Sequence, residues 1–148
     1  MDEQQFVAFK LGSEEYGISI LQVQEIKRIT DITRVPYAPV YVQGVINLRG
    51  SVLPVIDLKT KLNFSSTDDT DDTRIIIVKL EDYSVGMIVD AVSEVLRLTN
   101  EQIEPSPAFV GGLEAEYIQG VGKVDGRLVI LLNMVNVAMI DTTAAKVG

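Results

Sequence analysis

Short apolar runs separated by polar or glycine-containing segments dominate the chain, and this pattern predicts β-strands. Two such runs, QQFVAFKL (4–11) and RIIIVKL (74–80), are followed by turn-prone or acidic residues. Each is followed by a second run, EEYGISI (14–20) and YSVGMIV (83–89), which we expect to be its hairpin partner. The chain therefore carries one predicted hairpin near its start and a similar one near its middle.

Glycine and proline mark turns and irregular positions within these predicted strands. Gly17 and Gly86 interrupt the two hairpin partners, and we expect the strands to bend or bulge there. A later hairpin has its predicted turn at Asp125-Gly126, because the glycine tolerates a positive φ. Pro54 cannot donate a backbone hydrogen bond, so we expect it on a sheet edge or at a bulge.

Helical pattern is confined to two short segments. ILQVQEIKRI (20–29) fits a turn or two of helix, although its β-branched residues fit a strand as well. DLKTKLNF (57–64) fits a helical turn that follows a strand. With about five short strands in each half of the chain, we predict an all-β fold of two small barrels with short helical segments.

An internal repeat supports the division into halves. Residues 9–30 align with 78–99 at a constant offset of 69, with seven identities that include Gly17 with Gly86 and Glu25 with Glu94. The stretch from Tyr41 aligns with that from Tyr117 at an offset of 76, which puts Arg49-Gly50 at the turn position of Asp125-Gly126. We predict one domain over 1–148, built from two copies at roughly 9–62 and 74–140, with the termini crossing between them.

Composition narrows the classes of function. The 148 residues carry a net charge of −8, which disfavours a nucleic-acid partner. Cysteine and histidine are both missing, so disulfides, thiolate chemistry and the commonest general base are excluded. The first residues do not resemble a secretory signal, and the longest apolar run (128–140) is too short to span a bilayer. We expect a cytoplasmic protein without direct membrane insertion.

The acidic segment NFSSTDDTDDT (63–73) lies between the two copies and suggests calcium binding at first sight. An EF-hand loop needs a glycine at its sixth position and a glutamate at its twelfth. Counting from Asp68 or Asp69 finds neither residue. A solvated loop is the favoured interpretation, and we predict no metal and no cofactor.

Positions that differ between the copies are candidates for function. Arg49 stands where the second copy has Asp125. It is either a solvated turn residue or an arginine that pairs with a carboxylate and anchors a contact surface, a role that suits its planar guanidinium. Glu25 recurs as Glu94, which favours a structural role for both, such as capping a turn or meeting the nearby Arg28.

Four segments have a distinctive sequence: EEYGISILQVQEI, GVINLRGSVLPVIDL, LTNEQIEPSP and EYIQGVGKVDGRLVILLN. Together they resemble the chemotaxis coupling (CheW) family over residues 6 to about 137. The resemblance implies two five-stranded, SH3-like barrels side by side with a shared core. It also implies a non-enzymatic adaptor that joins the helical cytoplasmic tip of chemoreceptors to the regulatory domain of the chemotaxis histidine kinase, within membrane-associated receptor arrays.

The same resemblance assigns roles to individual positions. Receptor binding and coupling are expected at Val23, Glu25, Arg49 and Val92. Kinase binding is expected near the hairpin, at Asn47, Leu48 and Gly50. It further implies that Glu25 and Arg49 pair with each other or orient contacts with a partner.

Three other functions stay open at this point. An enzyme would depend on carboxylates such as Asp57, Asp90 or Asp125, and the missing histidine and cysteine argue against it. A small-ligand-binding barrel would need a cavity, whereas barrels this small are usually filled by side chains. An adaptor for a non-flagellar kinase pathway would have the same sequence features as one for swimming chemotaxis.

Overall fold

A computed structural model describes residues 3–65, 68–105 and 115–140. Eleven strands and two short α-helices make up most of these residues. The strands are β1 (Glu3–Leu11), β2 (Glu14–Ser19), β3 (Val23–Arg28), β4 (Val42–Leu48), β5 (Ser51–Asp57), β6 (Arg74–Lys79), β7 (Ser84–Val89), β8 (Ala91–Thr99), β9 (Ile103–Glu104), β10 (Ile118–Val124) and β11 (Arg127–Leu132). The α-helices are α1 (Leu58–Lys61) and α2 (Met134–Val137), and 3-10 turns occur at Ile20–Gln22, Asn100–Gln102 and Ala115–Tyr117.

The strands form two sheets, each an SH3-like barrel, as the all-β prediction requires. Barrel 1 has five strands in the order β3-β6-β7-β5-β4. Barrel 2 has the order β8-β1-β2-β11-β10-β9, in which the two-residue β9 is a sixth strand that the prediction did not include. None of the helices in the described part of the chain is long and apolar enough to cross a membrane.

The barrels divide the chain differently from the two sequence copies. The first copy contributes β1 and β2 to barrel 2 and keeps β3 to β5 in barrel 1. The second copy contributes β6 and β7 to barrel 1 and keeps β8 to β11 in barrel 2. Each copy thus lends its first hairpin to the barrel that holds the rest of the other copy. The duplication itself stays a prediction.

Several strands have continuous apolar sequences because they are buried on both faces. Ile75 and Ile77 of β6 point into barrel 1, whereas Ile76 and Val78 enter a core shared by the barrels. The shared core also takes Phe9 and other residues of β1 and β2 from barrel 2. Six buried side chains fill the interior of barrel 2, namely Phe6, Ala8, Leu96, Leu98, Val129 and Leu131.

Gly17 and Gly86 do not mark bulges in their hairpins. The registers of β1 with β2 and of β6 with β7 are continuous, so neither Gly17 nor Gly86 lies at a bulge of its hairpin. Close packing explains them instead. A Cβ on Gly17 would lie 3.1 Å from Leu131 Cδ2, and one on Gly86 would lie 3.0 Å from Ile75 Cγ2.

Residues 20–29, whose sequence fits either a helix or a strand, are mostly strand. Residues Ile20–Gln22 form a single 3-10 turn, capped by the Ser19 hydroxyl, and Val23–Arg28 continues as β3. The predicted helical turn after Asp57 is present as α1, and the Asp57 carboxylate caps it by accepting from the Lys59 N–H at 3.1 Å. The Ile20–Gln22 turn carries the chain from barrel 2 to barrel 1.

Candidate interaction surface

The hairpin of β4 and β5 has a tight two-residue turn at Arg49-Gly50. Their φ values of 49° and 89° define a type I′ turn, which matches the twist of the strands. The Asn47 side chain supports it by accepting a 2.9 Å hydrogen bond from the Gly50 N–H. Asp125 and Gly126 repeat this geometry in barrel 2, with φ values of 49° and 82°. The sequence alignment therefore predicted both turns correctly.

Arg49 pairs with Glu25 across barrel 1. Its Nη2 lies 2.6 Å from Glu25 Oε1, so the hairpin tip is tied to the middle of β3. The Arg49 side chain is nevertheless 67% exposed, whereas that of Glu25 is 28% exposed. The arginine is thus both a paired residue and an accessible one, and its planar group keeps further donors for a second acceptor.

The other predicted site residues differ in accessibility. Asn47 and Gly50 are exposed on the hairpin, but Leu48 is only 7% exposed and packs inside barrel 1. Val23 and Val92 are half-buried and both pack against the shared core. Leu21, two residues before Val23, is 92% exposed. The structure therefore brings Glu25 and Arg49 into contact and places both valines beside the same core. The roles of these residues in binding stay predictions.

Barrel 2 holds a second carboxylate–guanidinium cluster that the sequence did not reveal. Arg127 Nη2 lies 2.6 Å from Glu94 Oε2, and its Nε lies 3.0 Å from Glu15 Oε1. The Nε contact is an ion pair without hydrogen-bond geometry. The hydrogen bond to Glu94 raises the pKa of Arg127 above its ordinary value. The recurrence of Glu25 as Glu94 was a signal for this pair, because both glutamates meet a hairpin arginine.

The structure describes most of the acidic segment, residues 63–65 and 68–73. Among the residues that the structure describes, no three carboxylates stand close enough together to hold a metal ion. Ser66 and Thr67, within the predicted loop, lie outside the described residues.

Comparison with known proteins gives a consistent family assignment. The model of the CheW-like domain matches residues 5–139. The Klebsiella aerogenes protein named chemotaxis protein CheW is 43% identical over 131 residues, which cover 88% of this chain and 79% of that protein. The Bacillus subtilis protein of the same name is 38% identical over 130 residues, covering 88% of this chain and 83% of that protein.

A solved structure agrees with the sequence relatives. The crystal structure of the scaffolding protein TtCheW from Thermoanaerobacter tengcongensis superposes with a TM-score of 0.85 at 36% identity. The match covers 89% of this chain and 90% of that one. A more distant relative, protein FrzA of Myxococcus xanthus, is 30% identical over 144 residues and covers 97% of this chain and 89% of that protein.

Proposed function

The chain belongs to the CheW-like family, and from this membership we propose that it is a non-enzymatic adaptor of chemotaxis signalling. It couples the cytoplasmic tips of chemoreceptors to the regulatory domain of the chemotaxis histidine kinase, and it is recruited to membrane-associated receptor arrays. The observation that carries this proposal is the family match over residues 5–139, which spans both barrels. The close structural likeness to TtCheW, a scaffolding protein, supports the same class of function.

The receptor contact in this proposal combines the Glu25–Arg49 pair with apolar surface from both barrels. Val23 begins β3 of barrel 1, and Val92 lies in β8 of barrel 2. Both valines remain half-buried at the shared core, so a helix that lies between the barrels would contact both. The exposed guanidinium of Arg49 then orients the receptor helix or keeps the hairpin in the shape that the contact needs.

The kinase contact in this proposal uses the hairpin itself. Asn47 and Gly50 present polar groups at the tip, while buried Leu48 fixes the hairpin to the interior of barrel 1. A substitution at Leu48 therefore acts through the position of the hairpin. A substitution at Asn47 removes the acceptor for the Gly50 N–H and loosens the turn.

The experiment that tests the proposal measures assembly of a ternary complex. Membranes that contain chemoreceptors are sedimented with the kinase of the same organism, with and without this chain. We expect the kinase to sediment and its autophosphorylation to change only when the chain is present. Arg49→Ala and Glu25→Ala should each weaken this coupling, with a double-mutant cycle that shows non-additive effects.

The matched control is Lys123→Ala in barrel 2. Lys123 Nζ lies 2.6 Å from Glu104 Oε1, so this variant also removes an exposed ion pair, at the same distance as Arg49–Glu25. Exposed pairs of this kind contribute about 0–1 kcal/mol to stability, so a general loss of folding would affect both alike. Wild-type coupling by both Arg49→Ala and Glu25→Ala would reject the role of this pair.

A further inference from the structure

A groove of about 490 Å³ runs beside the hairpin of barrel 1. Its wall includes Gln24 at the start of β3, the exposed side of β5, and Tyr83 and Ser84 at the start of β7. Arg49 also lines it, and among the described side chains that line the groove it alone is charged. The groove is therefore a mostly uncharged depression with one accessible cation.

The floor of this groove is an unpaired strand edge. β5 pairs with β4 along its whole length, whereas its described pairing with β7 begins only at Val55. Residues flanking a two-residue turn form a hydrogen-bonded pair, here Leu48 with Ser51, and the next residue points its backbone groups the other way. Val52 thus presents its N–H and C=O toward the groove, and Pro54, which has no N–H, is tolerated there.

Barrel 2 closes the corresponding position with its own side chains. The alignment offsets place Arg127 at the position of Ser51 and Glu15 at the position of Ser84. The guanidinium of Arg127 lies between Glu15 and Glu94, with its Nε buried. In barrel 1, two small serines replace this long ion pair, and Ser84 instead donates to Gln24 Oε1 at 3.2 Å. The two small serines therefore leave room beside β5 in barrel 1.

We propose that this groove binds an extended, acidic segment of a protein partner by strand addition to β5. The segment hydrogen-bonds to Val52, lays an apolar side chain on the Val52 side chain, which is 68% exposed, and directs a carboxylate to Arg49. This contact goes beyond the proposed adaptor function, because a helical receptor tip has no free backbone groups to offer a strand edge.

The test is selection of peptides from a random heptapeptide phage library on the full chain. The same selection is run on Ser51→Arg/Ser84→Glu, which fills the groove as barrel 2 does. We expect the wild-type chain to enrich peptides that have β-branched residues at alternate positions and one Asp or Glu. Synthetic copies of the enriched peptides should bind the filled variant at least about tenfold more weakly than the wild type. On binding to the wild type they should shift the amide NMR signals of Arg49, Val52 and Ser84.

Two further variants keep the test decisive. Gln5→Arg/Gln43→Glu adds the same charges at exposed positions outside the groove, and it should bind the peptides as the wild type does. Val52→Pro leaves the groove open but removes the outward N–H, so it should weaken peptide binding as well. This variant provides the test in case the filled variant does not fold. Failure to enrich any peptide, or equal affinity for wild type, filled variant and Val52→Pro, would overturn the proposal. Kinase coupling by the wild-type chain reports separately on the adaptor function, because that function predicts coupling whether or not the peptides bind.

Discussion

At the scale of single residues, Tyr16 carries an unusual acid–base group. Its side chain is fully buried in the shared core, and its hydroxyl donates to Glu14 Oε1 at 3.2 Å. Burial, followed by the nearby Glu14 carboxylate and this hydrogen bond, raises the pKa of Tyr16 above its usual value of 10.0. The folded state therefore keeps a proton that the unfolded chain loses above about pH 10.

This difference predicts alkaline destabilisation through Tyr16. The contribution is fully present below the unfolded pKa and is lost as the pH rises above it, by up to about 1.4 kcal/mol per pH unit. Urea unfolding between about pH 9 and 11.5 measures the slope, which should be flatter in Tyr16→Phe than in wild type. Tyr83→Phe, at a position that is 44% exposed, serves as the control for removal of a tyrosine hydroxyl. Equal slopes in both variants would contradict the prediction.

The arginines show how far single residues were predictable. Arg49 stood out because its counterpart in the second copy is an aspartate, and pairing with Glu25 was one of the two roles that the family resemblance implied. Arg127 did not stand out, because its counterpart is a serine and its partners come from two other strands, β2 and β8. Such a cluster depends on how the barrel closes, which residue types along one strand do not specify.

At the scale of elements, Gly44 allows β4 to lie close to the segment that follows β3. Thr33 and Val45 exchange two backbone hydrogen bonds of 2.9 and 2.8 Å, and Gly44 lies at a register shift beside them with a φ of 154°. A Cβ on Gly44 would lie 2.1 Å from the Thr33 carbonyl oxygen. The backbone bridge and a side chain at this position are therefore incompatible.

Gly44→Ala should thus lower the free energy of unfolding by about 2–4 kcal/mol. Gly12→Ala is the matched control, because Gly12 also has a positive φ, 63°, but a Cβ there would meet nothing within 4 Å. That control should cost only the backbone strain of about 1–2 kcal/mol. Urea denaturation measures both variants, and a Gly44→Ala loss no larger than the Gly12→Ala loss would refute the steric argument.

Local pattern predicted most strands and both tight turns, since apolar alternation and Asp-Gly chemistry are local signals. It did not predict the close packing at Gly17 and Gly86, because this packing depends on a neighbouring strand that comes close in space. Gly17 packs under Leu131, and Gly86 packs under Ile75 and Val55. The helical alternative for 20–29 failed for a similar reason, since pairing of β3 with β6 decides in favour of a strand.

At the scale of the whole molecule, Asp90 links the two barrels where the chain passes from β7 to β8. Its carboxylate lies 3.0 Å from Lys59 Nζ of barrel 1 and accepts a 2.7 Å hydrogen bond from the Gly12 N–H of barrel 2. Its own N–H donates to the Lys10 carbonyl at 3.0 Å. The Lys59 side chain is only 9% exposed and that of Asp90 is 34% exposed, so this contact is partly shielded from solvent.

Asp90→Ala should lower the free energy of unfolding by about 1–3 kcal/mol, because it removes the acceptor that the shielded Lys59 ammonium and the Gly12 N–H share. Glu104→Ala, from an exposed ion pair, should cost less than about 1 kcal/mol.

Since the chain has no cysteine, Arg28→Cys and Arg97→Cys allow spin labels at equivalent positions of the two barrels. The distance distribution between the labels should broaden in Asp90→Ala, and an unchanged distribution and stability would contradict the linking role.

Sequence comparison predicted two units with termini crossing between them, but it did not predict that each unit lends its first hairpin to the other barrel. The copies are adjacent in sequence, whereas the shared core contains both Phe9 of the first copy and Met87 of the second. This arrangement depends on pairing between distant strands, such as β1 with β8 and β3 with β6. A surface that contains Val23 and Val92 draws on both barrels, because the two valines lie in β3 and β8.

Calorimetric titration of this chain into the isolated regulatory domain of the chemotaxis kinase from the same organism tests the adaptor function most directly. Saturable one-to-one binding that Arg49→Ala weakens is the result that the proposed function predicts. A folded chain that gives no binding heat over a range of temperatures, and no complex in sedimentation, would contradict it.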